Sequence, residues 1–447
     1  MVGPTIPSRV LVVGLGRSGL AAARLAVEDG SEVVVNDRRP EADLVEAAAA
    51  LPGGVRTFFG GHPESSLEGV ELVVASPGVP PTAPILGLAR DRGLPISSEV
   101  EFAWRHRQEA PLVAVTGSNG KSTVTELVAR MLGDGGLAVA AGGNLGIAAS
   151  QLVLEGGWES WVLEISSFQA ELLTAMNPRV AVFLNLSQDH LERHPDLESY
   201  LKAKQRLFAF QQAEDTAVLN ADEGAVATTP TAARRRLFSL LENADAWVED
   251  DHLMIDDKAL LPVSEIALSG AHNIANAMAA ALAASALGVP VRSIAASLRD
   301  FQGLAHRHRT VHAAGGVRWV DDSKATNVGA TLAALRGYPD RSVHLILGGL
   351  AKGQDFSVLV PEVRRAAARV YLIGEDGPAI GKVLGEAAEI EDCTDLATAV
   401  SRARSGAGPG QWVLLAPACA SFDQFADFAE RGDRFAELAR EEVATCP

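Results

Sequence analysis

The sequence predicts an α/β protein with three domains, each a mainly parallel sheet layered with helices. Three observations carry that prediction. At 447 residues the chain exceeds one ordinary domain. Apolar strand-like runs alternate with alanine-rich helical segments along its whole length, the pattern of βαβ layering. Glycine-rich turns, Gly14-Leu-Gly16-Arg-Ser-Gly19 and Gly117-Ser-Asn-Gly-Lys-Ser-Thr123, each follow a strand and open a helix.

The elements fall into three blocks, with boundaries near 100 and 305. The first (1–100) has strands near 9–14, 31–36 and 71–75, a proline-rich stretch Ser76-Pro-Gly-Val-Pro-Pro81, and a short strand at Leu94–Ser97. The second (101–305) opens with a strand at Leu112–Val115 and the second glycine turn. Strands at Trp161–Ile165 and Val180–Asn185 follow, then an amphipathic helix over Leu197–Phe208. A polar, less regular region is expected from about 211 to 268, then helices near 271–286 and 290–300. The third (306–447) has strands near 317–321, 342–347, 369–374 and 411–416. Its last helix is expected to follow Ser421, with Gln424 completing a capping box.

Composition excludes several classes. With 47% hydrophobic and 21% charged residues, the chain reads as a soluble globular protein. No run approaches the roughly 18–20 apolar residues of a membrane span. Ala277–Val289 is too short for one and reads as a buried helix, and no basic leader marks a signal peptide. Cys393, Cys419 and Cys446 have no metal-ligand spacing and suit a reducing cytosol. A net charge of −17 argues against a nucleic-acid binder, and requires any anionic substrate to meet a locally positive cleft.

Gly117-x-x-Gly120-Lys121-Ser122 presents backbone N–H groups, a lysine and a hydroxyl to one spot, which suits a nucleotide polyphosphate with its magnesium. It is shorter than the strict Walker pattern, which would place a glycine at Val115. Gly14–Gly19, with Asp37 ending the next strand, has the spacing of a dinucleotide fingerprint. Its physical content is a helix N-terminus that can receive a diphosphate, so NAD, another nucleotide and a plain turn all remain open. Glu164, Ser166–Gln169 and Asn185–His190 follow strand ends facing the phosphate loop, and Glu164 with Ser122 supplies the oxygen ligands magnesium prefers. Asn144 sits in a glycine turn. Asn273 and Asn276 lie three apart on one helix face, able to grip a base or amide, or simply to begin a helix. By composition Lys204 is a surface lysine. In the third block, Asp321-Asp322-Ser323-Lys324, Gly348-Gly349 with Lys352, and Pro417–Phe422 all end strands, which favours a single site.

Taken together these segments resemble the Mur ligase family over essentially the whole chain. Leu163–Gln169, Asp322-Ser-Lys-Ala-Thr-Asn327 and Pro417-Ala-Cys-Ala-Ser-Phe-Asp-Gln424 look like its D-glutamate-adding branch. The resemblance implies a Rossmann-like N-terminal domain, a central P-loop ATPase-like domain and a Rossmann-like C-terminal domain. It replaces the NAD reading with a UDP-linked substrate, UDP-N-acetylmuramoyl-L-alanine, at Gly16, Ser18, Asp37, Arg39, Gly78, Asn144 and Ser166. It assigns ATP to Gly117, Ser118, Asn119, Gly120, Lys121, Ser122, Thr123, Asn273, Asn276, Arg307 and Asp322. Magnesium, as two ions, falls to Ser122, Glu164, His190 and Lys204, the last as a carbamate, which overrides the surface reading. Lys121, His190 and Lys204 take the catalytic roles. D-glutamate falls to Lys324, Thr326, Lys352, Ser421 and Phe428. The implied reaction runs through an acyl phosphate, in the cytoplasm, in a monomer, without nucleic acid or membrane insertion. Two departures from the family stand out: Leu350-Ala351 where an Asp-Gly is usual, and the basic pair His308-Arg309. An NAD oxidoreductase or a non-catalytic nucleotide-binding protein are the alternatives, and the first leaves Lys121 unexplained.

Overall fold

The computed structural model describes residues 7–107, 109–144, 146–187, 193–268, 270–351 and 353–441. Within them lie three sheets. The first contains β1 (Arg9–Val13), β2 (Glu32–Asp37), β3 (Arg56–Phe59), β4 (Leu72–Ala75) and β5 (Ile96–Ser98), all parallel, in the order β3-β2-β1-β4-β5. Val10–Val13 are buried on both faces, as a central parallel strand requires. Ala22, Ala23 and Ala26 let the helix Arg17–Glu28 lie close on one face, and Ile85, Leu86 and Ala89 cover the other.

The second sheet contains β6 (Leu112–Thr116), β7 (Val139–Gly143), β8 (Ser160–Glu164), β9 (Val180–Phe183), β10 (Thr216–Asn220), β11 (Arg234–Phe238), β12 (Ala246–Glu249), β13 (His252–Ile255) and β14 (Lys258–Pro262). Its order is β14-β13-β12-β11-β10-β9-β6-β8-β7. The expectation of an irregular 211–268 is corrected here, since five strands extend the sheet. They are short, and the last three are antiparallel hairpins closed by Asp250-Asp251 and Asp256-Asp257. All four aspartates have positive φ, the geometry of type I′ turns, without the glycine that usually signals them. The run Ala277–Ala284 is a fully buried stretch of the helix Ala271–Ala286.

The third sheet contains β15 (Arg309–Ala314), β16 (Val317–Asp321), β17 (Val343–Gly348), β18 (Ala367–Ile373), β19 (Glu389–Thr394) and β20 (Trp412–Leu415), in the order β15-β16-β20-β17-β18-β19. β15 is an antiparallel edge strand joined to β16 through Gly315-Gly316, and the sequence reading missed it because its residues are mostly exposed. The last helix is Phe428–Arg440. Ser421 does not cap it. Asp427 does, accepting from the N–H groups of Ala429 and Glu430, while Glu430 takes the Ala426 N–H at 2.6 Å. Ser421 instead closes a turn, its carbonyl receiving the N–H groups of Gln424 and Phe425.

By contacts the chain divides into two units: Met1–Leu186 with Glu198–Ile266 and Ile274–Asp300, and Ser187–Leu197 with Ala267–Asn273 and Phe301–Pro447. The first two sheets share the first unit, where the helix Ala149–Glu155 packs on the helices Arg17–Glu28 and Glu99–Arg105.

Candidate active site

In the central sheet the phosphate loop leaves β6 and enters the helix Lys121–Asp134. Gly120 has φ +82, and a Cβ there would come within 2.4 Å of the Asn276 amide oxygen, so only glycine lets Asn276 approach. Asn185, just past β9, latches the loop. Its amide oxygen accepts from the Asn119 N–H at 2.8 Å, its amide nitrogen donates to the Asn119 carbonyl at 3.1 Å, and its carbonyl accepts from the Ser118 N–H at 2.9 Å. The sequence reading placed Asn185 in the polar cluster without this role; its position at a strand end was the available signal.

Lys121 folds back so that Nζ donates to the carbonyls of Gly117 (3.0 Å) and Ser118 (2.9 Å). The Ser122 hydroxyl donates to Glu164, and Asn144 Nδ2 donates to the other Glu164 oxygen at 2.8 Å. Ser122 and Glu164 are both buried. Ser166, two residues on, caps the short helix Ser167–Ala170 in a reciprocal capping box with Gln169.

Lys204 overturns the composition-based reading. It is 1% exposed, its Nζ donates to the Gly117 carbonyl at 2.8 Å, and it lies 4.4 Å from the centre of the Tyr200 ring. The helix Leu197–Gln205 has weak amphipathicity, so spacing could not reveal which lysine turns inward. The structure thus brings Gly117–Thr123, Asn144, Glu164, Lys204 and Asn276 together. His190 lies outside the described residues.

Ser122 and Glu164 offer the oxygen pair that fits magnesium. Among the described residues no group of three His, Cys, Asp or Glu side chains forms a closed cage.

At the carboxyl edge of the first sheet, Asp37 accepts the Leu15 N–H at 2.7 Å and pairs with Arg39, whose Nη2 sits 2.7 Å away. Burial opposes its ionisation, but the Arg39 side-chain and backbone bonds and the Leu15 N–H outweigh that and hold its pKa at about 2. Gly16 begins the helix, Ser18 is half-buried, and Gly78 is exposed in the turn after β4. Ser76 Oγ donates to the Gly14 carbonyl, tying that turn to the first glycine loop.

In the second unit, Arg431 is the organiser that sequence reasoning missed. It is 1% exposed inside the last helix, and donates to Ser323 Oγ (2.9 Å), the Ser323 carbonyl (2.8 Å) and the Cys419 carbonyl (3.1 Å). Burial pulls its pKa down to about 10, still cationic at neutral pH. It therefore joins the Asp322–Asn327 and Pro417–Gln424 segments, as does the Ala418 N–H to the Ala325 carbonyl. Lys324 Nζ lies 4.1 Å from the centre of the Phe428 ring, and its N–H bonds the His306 carbonyl beside Arg307. Thr326 is half-buried and Ser421 buried next to these segments. Asn273 belongs to this unit, with its N–H on the Gly270 carbonyl. Lys352 lies outside the described residues.

Comparison with known proteins shows which family the chain resembles. Residues 8–98 match a Mur ligase MurD-like N-terminal domain, 115–284 the Mur ligase middle domain, and 306–419 the Mur ligase glutamate ligase domain. A UDP-N-acetylmuramoylalanine--D-glutamate ligase from Anaeromyxobacter dehalogenans is 44% identical across 98% of both chains. The chain belongs to the Mur ligase family. A second Mur ligase of that printed name, from Acidobacterium capsulatum, is 41% identical over 96% of this chain and 95% of its own. Among solved structures, a pseudomurein peptide ligase type C from Methanothermus fervidus covers 97% of this chain and 100% of its own with a TM-score of 0.62 at 17% identity. A MurF ligase from Thermotoga maritima in complex with ADP covers 91% and 94% with a TM-score of 0.61 at 18% identity. These two show the three-domain Mur ligase fold.

Proposed function

We propose that this chain joins D-glutamate to UDP-N-acetylmuramoyl-L-alanine, with ATP as the energy source, in cytoplasmic synthesis of the peptidoglycan precursor. The observation that carries the reading is the near-full-length 44% identity to a D-glutamate ligase. The alanyl carboxylate attacks the γ-phosphorus of ATP to give an acyl phosphate and ADP. The amine of D-glutamate then attacks the activated carbonyl, and phosphate leaves. A carboxylate oxygen is a poor leaving group until phosphorylated, so the protein's task is positioning and charge neutralisation.

The division of labour follows the blocks near 1–100, 101–305 and 306–447. Gly16, Ser18, Asp37, Arg39 and Gly78 take the UDP moiety, and Asn144 and Ser166 the reacting end of that substrate. Lys121 swings from its own loop carbonyls to the phosphates. Asn273, Asn276, Arg307 and Asp322 hold the nucleotide, and Lys324, Thr326, Lys352, Ser421 and Phe428 hold D-glutamate. Ser122 and Glu164, with His190 and a carbamylated Lys204, would hold magnesium, which supplies charge neutralisation on the phosphate oxygens. Carbamylation gives buried Lys204 an anionic oxygen group, a charge that magnesium would offset where an ammonium would repel it.

The test is phosphate release with UDP-N-acetylmuramoyl-L-alanine, scanning D-glutamate, L-glutamate, L-alanine and meso-diaminopimelate. Release only with D-glutamate supports the reading, and turnover with a different amine refutes it. Glu164→Gln should lower kcat about 100-fold or more, as loss of an electrostatic contact in the transition state does. A full-rate Glu164→Gln enzyme would remove Glu164 from the mechanism.

A further inference from the structure

His308, one of the two residues of the basic pair that departs from the family, sits beside Asp322 in a cluster whose other members, His272 and Tyr338, the reaction above does not use. Its Nδ1 is buried, has no hydrogen-bond partner among the described residues, and lies 3.5 Å from an Asp322 carboxylate oxygen. Its Nε2 lies 3.2 Å from the Tyr338 hydroxyl, and the edge of the His272 ring meets it at 5.9 Å between centroids. Burial pushes the Tyr338 hydroxyl well above its ordinary pKa, so that hydroxyl keeps its proton and can donate to Nε2. A neutral imidazole so engaged carries its hydrogen on Nδ1, and the imidazolium carries one there too. In either state Nδ1 carries an N–H, 3.5 Å from the Asp322 oxygen and short of a hydrogen bond.

The neighbouring carboxylate is already committed. Asp321 accepts from His306 Nδ1 at 2.7 Å and from the Ser323 N–H at 2.9 Å. Among the described residues the Asp322 carboxylate has only His308 at ion-pair distance, and its second oxygen is open to a ligand. A carboxylate only accepts hydrogen bonds, so on ATP it suits the ribose hydroxyls and not the anionic phosphates. A lone carboxylate rotates; one with a fixed N–H at ion-pair distance from one oxygen is biased to present its second oxygen in one direction. We propose that His308 is a positioning residue for the nucleotide, fixed by Tyr338 and holding the Asp322 carboxylate toward the ribose. This rests on the reading of Asp322 as a nucleotide contact.

His308 has φ +50, a conformation Asn tolerates well. An Asn amide nitrogen falls near the Nδ1 position, whereas a Gln amide nitrogen falls near Nε2. The experiment measures binding of a non-hydrolysable ATP analogue by titration, together with kcat and KM for ATP, in His308→Asn, His308→Gln, Tyr338→Phe and Asp322→Asn, and in the His308→Gln/Asp322→Asn pair. Melting temperatures verify that each variant is folded. His308→Gln should weaken nucleotide binding about tenfold with kcat retained, and His308→Asn should stay within about twofold of the parent. Tyr338→Phe should fall between them. In the Asp322→Asn background His308→Gln should add nothing. Native affinity in His308→Gln, or an equal loss in both backgrounds, overturns the inference while Asp322→Asn still reports on the underlying reading. Native affinity in Asp322→Asn overturns both.

Discussion

Buried ionisable side chains carry the sharpest predictions at the scale of single residues. Glu99 is fully buried at the start of the helix Glu99–Arg105, with one oxygen accepting the Ser150 N–H at 2.6 Å and the other without a partner among the described residues. Burial raises its pKa from 4.5 to about 7, against the opposing Ser150 bond. The folded state then holds a proton that the unfolded chain has released, so stability falls as pH rises from about 4.5 to about 7 and stays lower above. Glu99→Gln should therefore melt higher than the parent at pH 8, with the gap closing near pH 4.5. A gap independent of pH would show that Glu99 is ionised in the fold. Asp37 has the opposite sign. Its folded pKa of about 2 lies below the ordinary 3.8 of a free aspartate, so its contribution is complete above pH 4 and is lost as pH falls through about 2. With Asp37 buried but Arg39 half-exposed, that contribution is at most about 2 kcal/mol. Asp37→Asn should remove it, read as a smaller acid-induced loss of melting temperature between pH 4 and pH 2.

Turns and caps decide where elements begin. Asp427→Ala should cost about 1 kcal/mol by leaving the Ala429 and Glu430 N–H groups without their cap. Ser421→Ala should leave the helix end untouched, a contrast that urea unfolding of the two variants would read directly. The two Asp-Asp hairpins hold non-glycine residues at positive φ. Asp257→Gly and Asp251→Gly should each stabilise by about 1 kcal/mol by relieving that conformation. Unchanged midpoints would mean the aspartate side chains repay the strain. The same chemistry explains why these strands were illegible: an Asp-Asp pair reads as a polar loop, and strands of four or five residues offer too few alternations to fix a period. Strands β1, β6 and β8 are no longer than these, but each holds an unbroken apolar run, Val10–Val13, Leu112–Val115 and Trp161–Leu163, and was legible for that reason.

Across the molecule, apolar clusters gather separately around each sheet, and the contacts define two units. Thermal unfolding should therefore depart from two-state behaviour, with calorimetry resolving at least two transitions. A single transition with equal calorimetric and van't Hoff enthalpies would contradict this. ATP with magnesium should raise the transition of the unit that holds the phosphate loop, by about 2.7 kcal/mol at a concentration 100 times Kd. The net charge of −17 sets these few cationic groups against an acidic background, so binding of the anionic substrates should weaken as salt rises.

Local chemistry fixed what the sequence by itself determined: the α/β class, the phosphate loop, the strand-end clusters and the family. Glycine turns, β-branched runs and contiguous motifs act over a few residues, so their meaning survives without the fold. Tertiary structure decided the rest. By composition and spacing Lys204 looks like any helix-surface lysine; only the family resemblance said otherwise, and the docking of its Nζ on the Gly117 carbonyl, 87 residues away, gives the physical reason. Arg431 likewise becomes the link between two distant segments only once its helix is buried. Burial and pairing over such separations follow from packing, which no local pattern encodes.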